Sequence, residues 1–436
     1  VGELRPALVT SINEKTFAAY VGNGQTVEVA WAAMKWARPY ISADRRGPAP
    51  KTAADIVQVG DLIRLQSRVD EANQTSWQLA QVPRAAAALI ALTPDDGAVR
   101  ALVGGYDFYH SKFNRVTQAS RQPGSGFKAF IYSAALANGF TPASLINDAP
   151  VVFEDPSLEG AWRPENYSGK FFGPTRLRYA LTKSRNLVSI RLLRSIGIEA
   201  ALQHIAKFGF DPASLPSNLS LALGSANVTP MQMASAYAVL ANGGFRVTPY
   251  FISRIDIDGG ETVFEAKPLR VCHDCIEPQQ ETQGLLPTAA GTAADDDAEN
   301  PSEFAPRVLD QRNRFLMYSM MQDVVRSGTA TKARALGRKD IAGKTGTTND
   351  QRDAWFNGFN EHIVANAWVG FDDNGKLGRG EVGGRAALPA WMDYMRVALD
   401  GLPDREPSMP EEIVTVRIDP RTGRHAAAGT EGALFE

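Results

Sequence analysis

The segment SRQPGSGFKAF sets Ser125 directly after a Pro-Gly turn and Lys128 three residues later, where an apolar pattern begins. Phe127, Phe130, Ile131 and Ala134 fall at helical spacing, which predicts a buried helix with Ser125 at its N-terminal end. Residues three apart share a helix face, so the Lys128 ammonium is expected to reach back to the Ser125 hydroxyl. A serine becomes a nucleophile when an adjacent base takes its proton. A lysine serves as that base once burial or a neighbouring cation lowers its pKa. Taken alone, the segment reads more readily as an N-cap serine followed by a lysine snorkelling to solvent. Ser125 is nonetheless the only serine of the chain with lysine at the third following position.

Two further groups carry chemistry-bearing side chains. LTKSRNLVSI holds Ser184 and Asn186 between two helical patterns, where an inter-helix loop can aim a hydroxyl and an amide into a cleft. A helix stop with an Asn/Ser turn is equally natural there, and the Ser-x-Asn form recurs at Ser11 and Ser225. Lys344-Thr345-Gly346-Thr347 contains the one Lys-Thr-Gly of the chain. If it is a strand, Thr345 and Thr347 project to one side and Lys344 and Gly346 to the other. Two hydroxyls on one side suit a ligand carboxylate, glycine marks a close approach, and exposed backbone can pair with an extended peptide. The plainer alternative is a basic turn between strands.

The elements that would position these groups emerge from composition and pattern. The 436 residues suffice for two or three domains. A hydrophobic content of 44%, a charged content of 22% and a net charge of −2 describe an ordinary globular protein with no global attraction to nucleic acid or anionic membrane. No apolar run approaches the roughly 18 residues of a membrane helix. Because the chain opens on Val1 in a strand-like pattern, it is expected to be a piece of a longer protein. Cys272 and Cys275 are too few ligands for a zinc site and lack a thioredoxin-like setting, so they are expected to form a loop feature, a small disulfide in an oxidising compartment.

Residues 1–83 contain five short alternating runs separated by Gly, Asn and Asp, which predicts a small OB-like β-barrel domain. With no aromatic-basic stripe, its expected role is a spacer or protein contact rather than nucleic-acid binding. From residue 84 two apolar runs flank Asp95-Asp96-Gly97, a hairpin signal. Helical patterns dominate to about residue 244, and strand patterns close the region through DIAGKTGTT, DAWFNGFN and HIVANAWVGFDD. This order predicts an α+β domain over 84–428, with a flexible Ala-, Pro- and acid-rich insertion at 276–306.

Ser125-x-x-Lys128, Ser184-x-Asn186 and Lys344-Thr345-Gly346 occur in the order known from penicillin-binding proteins and class A β-lactamases. ALIALTPDDGAVRALVGGYDF, WRPENYSGKFFGPTRLRYALTKSRN, LGSANVTPMQMASAYAVLANGG and KTGTTNDQRDAWFNGF extend the likeness. Over 84–428 the chain resembles class A penicillin-binding proteins, the bifunctional peptidoglycan synthases of the 1A type. The first 83 residues resemble their OB-like domain. The resemblance implies a transpeptidase fold with an antiparallel sheet, helices on both faces and a helical subdomain. It also implies a parent with a membrane helix and a glycosyltransferase domain, working on the periplasmic side of the bacterial inner membrane.

The resemblance further implies acyl transfer without metal or cofactor, from a stem peptide ending in D-Ala-D-Ala to the amine of a second stem peptide, with β-lactams as covalent inhibitors. Ser125 would attack, Lys128 act as base, Ser184 relay a proton with help from Lys344, and Asn186 hold the donor amide or Lys128. Thr345 and Thr347 would bind the terminal carboxylate beside Gly346, and the N–H groups of Ser125 and Thr347 would hold the oxyanion. A D,D-carboxypeptidase or β-lactamase-type hydrolase and a non-catalytic β-lactam sensor are the alternatives. Gly126 and Ala129 depart from the family, which mostly has Ser, Asn or Thr and then Pro at these positions; the sequence offers no reason for either.

Overall fold

A computed structural model describes residues 4–70, 73–154, 161–273, 275 and 303–436. The five alternating runs near the N-terminus form strands β1 (Arg5–Ile12), β2 (Thr16–Gly22), β3 (Gln25–Ala30), β4 (Leu62–Val69) and β5 (Thr75–Ala80). Every second residue points inward, so Ala7, Val9, Phe17, Ala19, Val27, Val29 and Leu65 make one small core. The ladder runs β3-β2-β1-β4-β5 and does not close into a barrel. Strands β3 and β5 approach each other without sharing a ladder, and the short helix Trp31–Met34 packs beside both with Met34 in the core.

The second unit opens with β6 (Ala86–Leu92) and β7 (Val99–Val103) around the Asp95-Asp96-Gly97 turn. A 3₁₀ turn over Gly124–Phe127 leads into helix α1 (Lys128–Ala137). Strands β8 (Leu145–Asp148) and β9 (Gly173–Arg176) pair antiparallel, and helices α2 (Leu177–Thr182), α3 (Asn186–Ile196) and α4 (Ile198–Ala206) follow. Helix α5 (Pro230–Ala241) starts with Pro at its first position and a capping box between Thr229 and Gln232; α6 (Gln311–Arg326) is capped by Asp310. Strands β10 (Ala342–Thr347), β11 (Asp353–Phe359) and β12 (Val364–Gly370) and helix α7 (Leu388–Ala398) complete it. Of the insertion expected at 276–306, residues 276–302 lie outside the described residues.

The sheet order is β10-β11-β12-β6-β7, antiparallel throughout, with β10 at one edge. All seven residues of β11 are buried because both faces of the sheet are covered. On one face α1, α5 and α6 pack; the Phe130 ring meets Phe127, Phe208, Phe210 and Tyr237 at centroid distances of 4.9–5.5 Å. On the other, Trp391 of α7 stands edge-on to Phe356 at 4.8 Å. Full burial of one such ring contributes roughly 1.5–3 kcal/mol, so the helix behind Ser125 is held chiefly by aromatic packing.

One polar network crosses this core. Ser133 of α1 donates to Asn313 Oδ1 of α6 at 2.8 Å, and its oxygen lies 2.9 Å from His204 Nε2 of α4. The hydroxyl has one proton, so His204 must donate from Nε2. Burial, with a smaller contribution from Lys207, pushes the His204 imidazole down to about 4. Unfolded, the ring takes its proton near pH 6.5, so its contribution to stability is full above that pH and drains away as pH falls toward 4. Between pH 7 and 4.5, urea unfolding is expected to show about 2 kcal/mol more loss of stability in the native protein than in His204→Gln; equal losses would contradict it.

Candidate active site

The 3₁₀ turn Gly124–Phe127 is clamped between two glycine approaches. A Cβ at Gly124, whose φ is +53°, would lie 2.4 Å from the Thr347 carbonyl oxygen, and one at Gly346 would lie 2.3 Å from the Pro123 carbonyl oxygen. The Ser125 turn and strand β10 therefore touch backbone to backbone, as only glycine permits on both sides. Behind the turn the buried Tyr237 hydroxyl donates to the Gly126 carbonyl at 2.7 Å.

Gly126 itself has a physical reason. A Cβ there would stand 2.7 Å from Asn357 Nδ2 and 3.5 Å from Met233 Cε. Asn357 is buried on β11, donates to the Lys344 carbonyl at 3.4 Å and accepts from Asn366. The space a larger residue would use is filled by this amide. Nothing in the structure explains Ala129.

Lys128 and Lys344 are both fully buried. Lys128 Nζ donates to Asn186 Oδ1 at 2.7 Å, to the Ser184 carbonyl at 2.9 Å and to Ser184 Oγ at 3.4 Å. Lys344 Nζ donates to Ser184 Oγ at 3.0 Å and to the Thr345 carbonyl at 3.1 Å. All three hydrogen bonds of Lys128 go to the Ser184–Asn186 turn, and none of them goes to Ser125. Burial, then the charge of Lys344, hold Lys128 well below the ordinary lysine range, while Asp148 opposes this. Burial alone brings Lys344 down to about 7.

Ser184 sits in the left-handed region at φ 58°. The turn is fixed there by Ser184 N–H to the Leu181 carbonyl at 3.1 Å, Arg185 N–H to the Ala180 carbonyl at 2.8 Å, and the Lys128 bond to its own carbonyl. Asn186 lies at the start of α3, so the expected inter-helix loop is the short connection between α2 and α3.

Strand β10 shows the expected alternation. Lys344 and Gly346 face the nucleophile turn and Ser184; on the other side Thr345 Oγ1 meets Thr329 Oγ1 at 2.6 Å and Thr347 Oγ1 accepts from Gly383 N–H at 3.0 Å. A cleft of about 800 Å³ is lined by Ser125, Ser184, Asn186, Thr345 and Thr347, with Thr329, Glu165 and Asn166 among its other walls. Thr329, Glu165 and Asn166 have no motif of their own in the sequence. A larger space, about 960 Å³ around Arg84, Lys376 and Arg385, holds none of the motif residues, so chemistry assigns the site to the smaller cleft. Cys272 and Cys275 are joined by a disulfide and line neither. Among the described residues no cluster of His, Cys, Asp or Glu is arranged to hold a metal ion, and no helix is long and apolar enough to cross a membrane.

This fold recurs in a known family. Residues 87–372 match the penicillin-binding protein transpeptidase domain and residues 1–85 the penicillin-binding protein OB-like domain. The chain belongs to the penicillin-binding protein transpeptidase family. Its similarity is to the 1A type: it is 47% identical to penicillin-binding protein 1A of Pseudomonas aeruginosa, across 100% of this chain and 54% of that protein. Against penicillin-binding protein 1A of Vibrio cholerae the identity is 41%, again across 100% and 54%. The chain thus spans about half the length of these curated relatives. The crystal structure of penicillin-binding protein 1A from Haemophilus influenzae superposes with a TM-score of 0.84 at 35% identity, covering 99% of this chain and 62% of that one.

Gly126→Ala is expected to destabilise the protein by about 1–3 kcal/mol through overpacking against Asn357 and to slow acylation of Ser125 by penicillin. Chemical unfolding and acylation kinetics check this, and native values in both would refute the packing account.

Proposed function

We propose that residues 84–428 form a peptidoglycan D,D-transpeptidase domain and residues 1–83 an OB-like spacer or protein-contact domain ahead of it. The observation that supports this most is the Ser184 hydroxyl lying between two buried lysines, 3.4 Å from Lys128 Nζ and 3.0 Å from Lys344 Nζ. A hydroxyl has two lone pairs and one proton. With both lone pairs occupied by lysine donors, the proton of Ser184 is free to point into the cleft, toward a leaving amine.

The reaction proceeds in two acyl transfers. Ser125 Oγ attacks the penultimate D-Ala carbonyl of the donor stem peptide while neutral Lys128, keeping two N–H bonds to Asn186 Oδ1 and the Ser184 carbonyl, takes its proton on the remaining lone pair. The Oγ–C bond forms, the C–N bond breaks, and the proton passes through Ser184 to the departing D-Ala amine. The amine of a second stem peptide then attacks the ester, the Oγ–C bond breaks, and Ser125 regains a proton. The N–H groups of Ser125 and Thr347 hold the oxyanion, an arrangement worth about 3–4 kcal/mol per donor in other enzymes. Thr345 and Thr347, beside Gly346, receive the terminal carboxylate. Because β10 is a sheet edge, an extended peptide can add to it.

A β-lactam presents the same acyl group and would acylate Ser125; a solved relative from Mycobacterium tuberculosis, PonA1, is described in complex with penicillin V. We place the reaction on the periplasmic side of the inner membrane, where the Cys272–Cys275 disulfide is stable.

Intact-protein mass spectrometry after penicillin treatment is expected to show one lasting adduct, on Ser125, absent from Ser125→Ala. The acylation rate is expected to fall as pH drops and Lys128 gains its proton. No adduct, or one that survives Ser125→Ala, refutes the assignment. Rapid turnover of penicillin would make the enzyme a hydrolase instead.

A further inference from the structure

Asn186 offers Lys128 its carbonyl oxygen, and an amide can present either end. The choice is made outside the motif. Asn186 Nδ2 donates to the Glu165 carbonyl at 2.9 Å, which turns Oδ1 toward Lys128. The next residue, Asn166, is buried, and its Oδ1 accepts the backbone N–H of Asn186 at 2.8 Å. Asn166 is oriented in turn because its Nδ2 donates to the Lys170 carbonyl at 2.9 Å and to Asp148 Oδ1 at 2.7 Å.

Asp148, at the end of β8, is fully buried. Its second oxygen, Oδ2, has no hydrogen-bond donor and lies 3.8 Å from Nε of Arg185, the residue between Ser184 and Asn186. The Arg185 guanidinium is stacked on Phe172, 3.3 Å from the ring centroid. A buried carboxylate oxygen with an ion pair but no hydrogen bond is expensive in free energy. Here the carboxylate stands behind the Ser184–Asn186 turn, reaching it at Arg185 directly and at Asn186 through Asn166.

We propose that Asp148, acting through Asn166, is a positioning residue that holds the Ser184–Asn186 turn and its acceptor oxygens against Lys128. A carboxylate only accepts hydrogen bonds, so Asp148 takes Asn166 Nδ2 and leaves Asn166 Oδ1 to hold the backbone N–H of Asn186, while the Glu165 carbonyl turns the Asn186 amide. The inference rests on the transpeptidase reading of the site. The charges acting on Lys128 come from Lys344 on β10 and Asp148 on β8, while Ser184 and Asn186 touch it as neutral acceptors. The Asp148 charge favours the Lys128 ammonium and opposes the loss of its proton.

The test is the second-order rate of Ser125 acylation by a fluorescent penicillin from pH 5 to 9, with an unfolding curve for each variant. Asn166→Ala keeps the charge and removes the orienting amide. Its rate is expected to fall roughly ten- to hundredfold at every pH, with the acid limb unmoved. Asp148→Asn keeps an acceptor oxygen and removes the charge. Its acid limb is expected to move to lower pH, because Lys128 then stays neutral further down. A purely structural role moves neither limb. A native rate in Asn166→Ala, or a loss matched by its fraction unfolded, overturns this inference alone. Absence of any Ser125 adduct in the native protein overturns the transpeptidase reading and this inference with it.

Discussion

Two lysines buried around one serine hydroxyl are the constraint on which the rest of the structure turns. Both Nζ atoms contact Ser184 Oγ, at 3.4 and 3.0 Å, and neither side chain reaches solvent. Two ammonium groups on one hydroxyl oxygen repel each other, and burial adds the desolvation of each. At neutral pH the site therefore tends toward at least one neutral amine, which is what a general base requires. The same chemistry needs no external reagent to create the base. It needs only a core dense enough to keep water from the two amines.

That core explains why a small motif depends on a large domain. Lys128 opens α1, whose buried face is locked by Phe127, Phe130, Phe208, Phe210 and Tyr237. Lys344 sits on β10, which the doubly covered strand β11 holds in register from Ala342–Phe359 to Thr347–Ala354. The two elements meet where Gly124 and Gly346 let backbone touch backbone. Rigid packing on both sides turns modest local propensities into a fixed arrangement of reactive groups.

Much of the fold was legible in the sequence. The alternation in the first eighty residues marked five strands, and the apolar runs around Asp95-Asp96-Gly97 marked a hairpin of the buried sheet, because side-chain period reports directly on which faces are covered. Closure of the first sheet was not legible: whether β3 and β5 share a ladder depends on strand tilt and on how Trp31–Met34 fills the gap. In the site, the serines, lysines and the Lys-Thr-Gly strand announced themselves by type and spacing. Asn166, Asp148 and Thr329 did not, since a single polar residue on a loop or strand end carries no period. Their part is visible only as distances to Asn186 and Thr345.

The sequence by itself determined the list of candidate groups, their order and the elements that bear them, because those follow from residue chemistry and local periodicity. Only the tertiary structure decided who meets whom. It gave the hydrogen bonds of Lys128 to Ser184 and Asn186, and it seated Lys344 on the same hydroxyl. It also filled the space beside Gly126 with Asn357. Hydrogen bonding and close packing act across space, between segments tens to hundreds of residues apart, and no local pattern along the chain encodes those encounters.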